Sequence, residues 1–114
     1  MDGVLAALRA VAEPTRLRLL VLCARAELTV GELTQILGQS QPRVSRHLKL
    51  LCEAGLLDRL RDGSSVFYRL ARRAEGGALA GLLAGLVPGD DPTVALDLER
   101  LQQIKTSRAE DASA

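Results

Sequence analysis

Between Thr29 and Gly55 the chain holds two short helices separated by three residues, and no other feature narrows its fold so far. Thr29-Val30-Gly31-Glu32 has the form of a capping box: Thr29 accepts the free N–H of Glu32, and the Glu32 carboxylate reaches back. The helix it opens turns Val30, Leu33 and Leu37 inward and stops at Gly38. Ser40 then caps a second helix, with Pro42 in its first turn, that runs to Ala54 and ends at Gly55. Two helices joined by Gly38-Gln39-Ser40 describe a helix-turn-helix.

The flanking segments complete the fold class. Val4, Leu5, Leu8, Val11 and Ala12 recur at helical spacing, which predicts a helix over 3–12. Pro14 opens another, whose buried stripe is read as Leu17, Leu20, Val21, Ala24 and Leu28. After Gly55 the period changes. Leu57-Asp58-Arg59-Leu60-Arg61 and Val66-Phe67-Tyr68-Arg69-Leu70 read as strands around an Asp62-Gly63-Ser64-Ser65 turn. Helical character returns at Glu75–Val87, stops at Pro88–Pro92 and resumes over Thr93–Ser107. The expectation is a mainly α fold with a β-hairpin wing, a winged helix-turn-helix. Residues 1–88 are expected to form this domain, 89–108 an additional C-terminal helix, and 109–114 a disordered tail or linker.

Composition limits what such a fold is for. The 114 residues make one small domain, and 47% hydrophobic with 25% charged residues is a globular balance, not a disordered one. No apolar run is long enough for a membrane span, and the N-terminus lacks the order of a signal peptide. Two cysteines, Cys23 and Cys52, suit a reducing cytoplasm. Aromatic residues at 2% exclude a stacking platform for single strands. The net charge of +1 hides a strong segregation: residues 40–73 carry eight basic and three acidic side chains, residues 74–114 three and seven. One surface is therefore expected to meet a polyanion.

At about 100° per residue, Val44, Leu48 and Leu51 fall on one side of the second helix of the pair. Arg43, Ser45, Arg46 and Lys49 spread over the other, with Gln41 and Pro42 at its exposed start. An α-helix fits the major groove, where Arg reads guanine, Gln reads adenine, and Ser suits several bases or a phosphate. Gln41, Arg43, Ser45 and Arg46 are the base-edge candidates; Ser40, Lys49, Arg59, Arg61 and Ser64 are the phosphate candidates. His47, at the edge of the buried stripe, takes a structural or phosphate-proximal role. No paired carboxylates, nucleophile–base pattern or phosphate loop points to an enzyme, and none to a cofactor. The competing class is a protein-interaction module on the same scaffold.

Ala12-Glu13-Pro14-Thr15-Arg16-Leu17-Arg18-Leu19-Leu20, Leu28-Thr29-Val30-Gly31-Glu32-Leu33, Gln39 to Leu51 with Ala54-Gly55-Leu56, and Val66-Phe67-Tyr68-Arg69-Leu70 resemble the ArsR/SmtB family of bacterial repressors over about residues 4–72. The resemblance implies homodimeric winged helix-turn-helix repressors that bind palindromic operators and leave DNA when an effector binds. It places the dimer interface on the first helix, with Leu5 and Leu8, and on Glu75–Val87. The second placement has its own support. Gly77, Gly81 and Gly85 stand four apart beside Leu82, and small residues at that spacing let two backbones approach. Each glycine costs about 1 kcal/mol against alanine in a helix, so a packing return is expected, across a two-fold axis or, as the alternative, within the chain against the first helix.

Departures from the family matter as much. Metal-sensing members carry a Cys-x-Cys-type site leading into the third helix, where this chain reads Glu27-Leu28-Thr29-Val30-Gly31-Glu32. Others bind zinc between the interface helices, yet residues 76–89 hold no Cys, His, Asp or Glu. No metal site is expected. Cys23 stands near where thiol- and persulfide-sensing relatives keep one of two redox cysteines, but no cysteine follows Cys52. A redox role for Cys23 is the alternative to an inert buried thiol. The segment Pro92–Ser107 is added relative to compact members, and the whole chain is most similar to the regulatory N-terminal part of a subgroup in which an S-adenosylmethionine-dependent methyltransferase domain follows; no such domain lies in this chain.

Overall fold

The computed structural model describes the backbone of residues 1–113 and every side chain but those of Ala74, Glu75 and Ser113. The elements run α1 (Asp2–Val11), α2 (Pro14–Arg25), β1 (Leu28–Thr29), α3 (Val30–Leu37), α4 (Gln41–Glu53), β2 (Leu57–Asp62), β3 (Ser65–Leu70), α5 (Ala74–Leu86) and α6 (Pro92–Ser113). The strands form an antiparallel sheet in the order β1-β3-β2. This is the winged helix-turn-helix that the sequence predicts, with the hairpin as its wing.

Local signals set most of the boundaries. Thr29 Oγ1 accepts the Glu32 N–H at 3.2 Å while Glu32 Oε1 accepts the Thr29 N–H at 2.9 Å, so the capping box is closed. Gly38 ends α3 at φ 67°, a left-handed conformation in which glycine meets no Cβ penalty. Ser40 Oγ accepts the Arg43 N–H at the start of α4. The wing turns at Gly63-Ser64, with Gly63 at φ 62°, and pairs Arg59 with Tyr68 and Arg61 with Val66.

Two elements differ from the sequence reading. Leu28 belongs not to the stripe of α2 but to β1, opposite Tyr68 of β3. Nor does α2 have a single stripe: Leu19 through Cys23 are all buried, Leu17 is half-buried and Ala24 is exposed. The cause is that α1, α4, α5, α6 and β3 all pack on α2, and a helix enclosed on most sides is apolar on most sides. Leu33, Ile36, Val44, Leu48, Leu51 and Leu56 close the core around it, and the inward face of α4 falls as expected.

The C-terminal helix is longer than expected. It continues through 109–113, where a disordered tail is predicted; Ala114 lies outside the described residues. Extending a helix already nucleated costs little, alanine is the best helix former, and Arg108 fastens this end to Glu32 and to the Glu27 carbonyl. Val94 and Leu101 are buried under it, with Leu98 and Ile104 half-buried. On the same side Asp97, 2% exposed, takes a two-pronged bond from Arg18 of α2 at 2.8 and 2.9 Å.

On α5, Ala80 and Ala84 face inward, while Leu82 and Leu86 are exposed. Gly76 and Gly77 lie against the body of the chain. A Cβ on Gly76 would stand 2.2 Å from the Gly55 carbonyl oxygen, and one on Gly77 2.6 Å from that of Ala71. At both positions a side chain would strike the chain's own backbone. Gly81 and Gly85 meet nothing within 4 Å.

Candidate nucleic-acid interface

The outer side of α4 and the wing carry the predicted contacts. Ser40, Gln41, Pro42, Arg43, Ser45, Arg46 and Lys49 are all exposed, because Val44, Leu48 and Leu51 take the whole inward side of the helix. Arg59 and Arg61 are exposed two residues apart on β2, so they leave the same face of the strand, and Ser64 sits at the exposed tip. Among the described residues no ion pair engages Arg43, Arg46, Lys49, Arg59 or Arg61.

Other arginines of the basic segment are already engaged. Arg69 lies 3.4 Å from Glu27 and 3.6 Å from Asp58, and Arg72 lies 3.6 Å from Glu27. The Arg72 N–H also donates to Asp58 Oδ2 at 3.3 Å. These contacts bind the base of the wing to the segment after α2. Charge counting alone cannot separate them from the free arginines.

Of the two roles open to His47, its surroundings are those of the structural one. Its ring is 13% exposed and points toward α2, with Nδ1 3.3 Å from Arg16 Nη1 and 3.8 Å from Glu13 Oε2. It is a structural neighbour of the interface, not a face of it. The sequence reading also leaves out Gln39, whose side-chain amide donates to Thr15 Oγ1 at 3.0 Å and pins the helix-turn-helix turn to the start of α2. A polar residue in a turn, beside the Glu13-Pro14-Thr15-Arg16 start of α2, is the signal that was there to read.

The thiols are free. Burial, with the neighbouring Cys52, pushes the Cys23 thiol up to about 12, far from the thiolate that redox chemistry requires. Cys52 is half-buried and also raised by burial and by Asp58. In the reduced native protein at about pH 8, Cys52 is expected to react with iodoacetamide well before Cys23, as peptide mass mapping will show. Among the described residues no three His, Cys, Asp or Glu side chains come together as metal ligands, and no helix is long and apolar enough to cross a membrane.

A recognition helix with an exposed basic and amide face, held beside a basic wing, defines a winged-helix DNA-binding regulator. The comparisons with known proteins agree. The family model of the bacterial regulatory protein, arsR family, matches residues 13–59. The arsenic resistance transcriptional regulator ArsR1 of Pseudomonas putida is 40% identical over 97 residues, covering 84% of this chain and 75% of that protein. The transcriptional repressor BigR of Xylella fastidiosa superposes with a TM-score of 0.69 at 31% identity, over 79% of this chain and 88% of that one. A homodimeric winged helix-turn-helix DNA-binding domain from Mycobacterium bovis, a possible ArsR-family regulator, does so at 0.65 and 28%, over 75% of this chain and 74% of that one. The chain belongs to the arsR family of bacterial regulatory proteins. It spans about half the length of several further curated relatives that it matches.

Proposed function

We propose that the protein is a homodimeric, cytoplasmic repressor that binds a palindromic operator and is released by an effector other than a coordinated metal ion. The observation that carries this reading is the unengaged row of Gln41, Arg43, Ser45, Arg46 and Lys49 on α4, continued by Arg59, Arg61 and Ser64 on the wing. In this reading α4 enters the major groove and the wing follows the backbone.

The dimer rests on apolar surface left open by the single chain. Val4, Leu5 and Leu8 of α1 are each about two-fifths exposed, and Leu82 and Leu86 of α5 about two-thirds. Both helices border one cavity of about 570 Å³, which Cys52 and Leu57 also line. A second copy covering this surface through Leu5, Leu8, Gly81, Leu82 and Gly85 would set the two α4 helices roughly 34 Å apart, one turn of DNA. A methyltransferase domain following this chain, as in the subgroup that the whole sequence resembles, is part of the same proposal.

The test is fluorescence anisotropy on the duplex upstream of the protein's own gene, against a scrambled duplex. Arg43→Ala is expected to lose about 1–3 kcal/mol on the specific duplex and to relax selectivity at one base. Lys49→Ala is expected to weaken both duplexes alike and to lower the salt slope by about one. Equal losses on both duplexes from both variants would reject these roles. Binding without salt dependence or sequence preference would favour a protein-interaction module instead.

A further inference from the structure

Where α1 passes α4, a cavity of about 390 Å³ lies between them, lined by Ala6 and Ala10 on one side, Leu50 and Glu53 on the other, and Arg16 of α2. Arg16 ties the three helices together. Its Nε donates to the Ala10 carbonyl, in the last turn of α1, at 2.5 Å, and its Nη1 lies 3.3 Å from Nδ1 of His47 on α4. Its backbone N–H donates to Glu13 Oε2 at 2.9 Å, and that oxygen stands 3.8 Å from the same histidine nitrogen. One guanidinium therefore joins the helix that exposes Leu5 and Leu8 to the helix that exposes Arg43 and Arg46.

The chemistry of this contact has a direction. A guanidinium has donors only, so Nδ1 must accept, and the proton of the neutral ring sits on Nε2. A protonated ring has no acceptor. Its Nδ1–H would face the Arg16 cation and turn toward the Glu13 carboxylate.

Resting on the regulator reading above, we propose that Arg16 and unprotonated His47 position α4 for sequence-specific binding, coupling it to α1 through a bond that a protonated imidazole cannot accept. The charged groups facing the ring are Glu13 and Arg16 from α2 and Arg43 and Arg46 from α4 itself; α1 presents the Ala10 carbonyl to Arg16. Burial holds the ring below its ordinary pKa; Glu13 opposes that, and the three arginines reinforce it. At neutral pH and above the ring is therefore the acceptor that Arg16 needs.

His47 is the only histidine in the chain, so the NMR titration of one ring reports its protonation without ambiguity. The experiment measures the affinity ratio between the duplex upstream of the gene and a scrambled duplex, at constant ionic strength, from about pH 8 down to the pH at which NMR shows the ring protonated. A protonated histidine near phosphate strengthens both duplexes alike, so the ratio isolates positioning from added charge. In the wild type the ratio is expected to fall about fivefold to tenfold as the ring titrates. His47→Asn supplies a non-titrating acceptor near the position of Nδ1. It is expected to keep the neutral-pH ratio within about threefold and to abolish the pH dependence. Arg16→Met is expected to raise the midpoint of His47 and to show the low ratio already at neutral pH, with a circular dichroism melt confirming that it folds. A wild-type ratio that stays flat while the ring titrates overturns this inference alone, as does His47→Asn retaining the wild-type pH profile. A wild type that prefers no duplex at any pH overturns the regulator reading and this inference with it.

Discussion

Arg18→Met will lower the stability of the folded chain by about 3–5 kcal/mol, the cost of leaving a buried carboxylate without its partner. Asp97 is 2% exposed, and both of its oxygens are taken by Arg18, which reaches it from α2 across 79 residues of sequence. Removing the cation leaves the Asp97 carboxylate on the buried side of α6 without either of these bonds. Urea unfolding of the wild type and the variant measures the difference directly. Replacing both partners by apolar residues, Arg18→Met with Asp97→Leu, should recover most of the loss, because such a pair is often close to neutral against well-packed side chains. A single variant as stable as the wild type would show that α6 opens locally and hydrates Asp97.

The second large effect concerns the open leucines of α5. With Leu82→Glu and Leu86→Glu together, affinity for a palindromic duplex is expected to fall about 10²–10⁴-fold, the gain that a linked second half-site supplies. Affinity for an isolated half-site should hardly change, since α4 and the wing are untouched. Both side chains face solvent in the single chain, so far-UV circular dichroism should show the variant folded, while its melting temperature falls by what the dimer contributed. Sedimentation velocity beside anisotropy separates the outcomes. A variant that sediments as a monomer yet binds the palindrome as tightly as the wild type would reject the two-fold arrangement on DNA.

The parts of this molecule that could be read from sequence are those governed by neighbours in the chain. Thr29 with Glu32, Ser40 with Pro42, Gly38 and the Asp62-Gly63 turn each act within a few residues, and they place α3, α4 and the wing. The exposed face of α4 follows from periodicity alone. What escaped needed the third dimension. β1 is two residues long, too short to show an alternating pattern, and exists because β3 lies beside it. The engagement of Arg69 and Arg72 by Glu27, and the inward turn of His47, depend on residues more than 30 positions apart. The closeness of Gly77 to the Ala71 backbone also lies outside what the Gly77-Gly81-Gly85 spacing can announce. Asp97 did leave a trace: it falls on the Val94–Leu101 side of an otherwise amphipathic helix, where a lone acid needs a partner.

The wing is fastened at its base, with Glu27 holding both Arg69 and Arg72, and Asp58 ion-paired with Arg69 and accepting from the Arg72 backbone N–H. A duplex that meets this surface finds the protein side already shaped, so little ordering entropy is spent on the wing when the complex forms. The adjustment then falls on the nucleic acid. Sequences whose base steps bend and twist easily into the fixed spacing between recognition helix and wing gain an advantage at positions that no side chain touches.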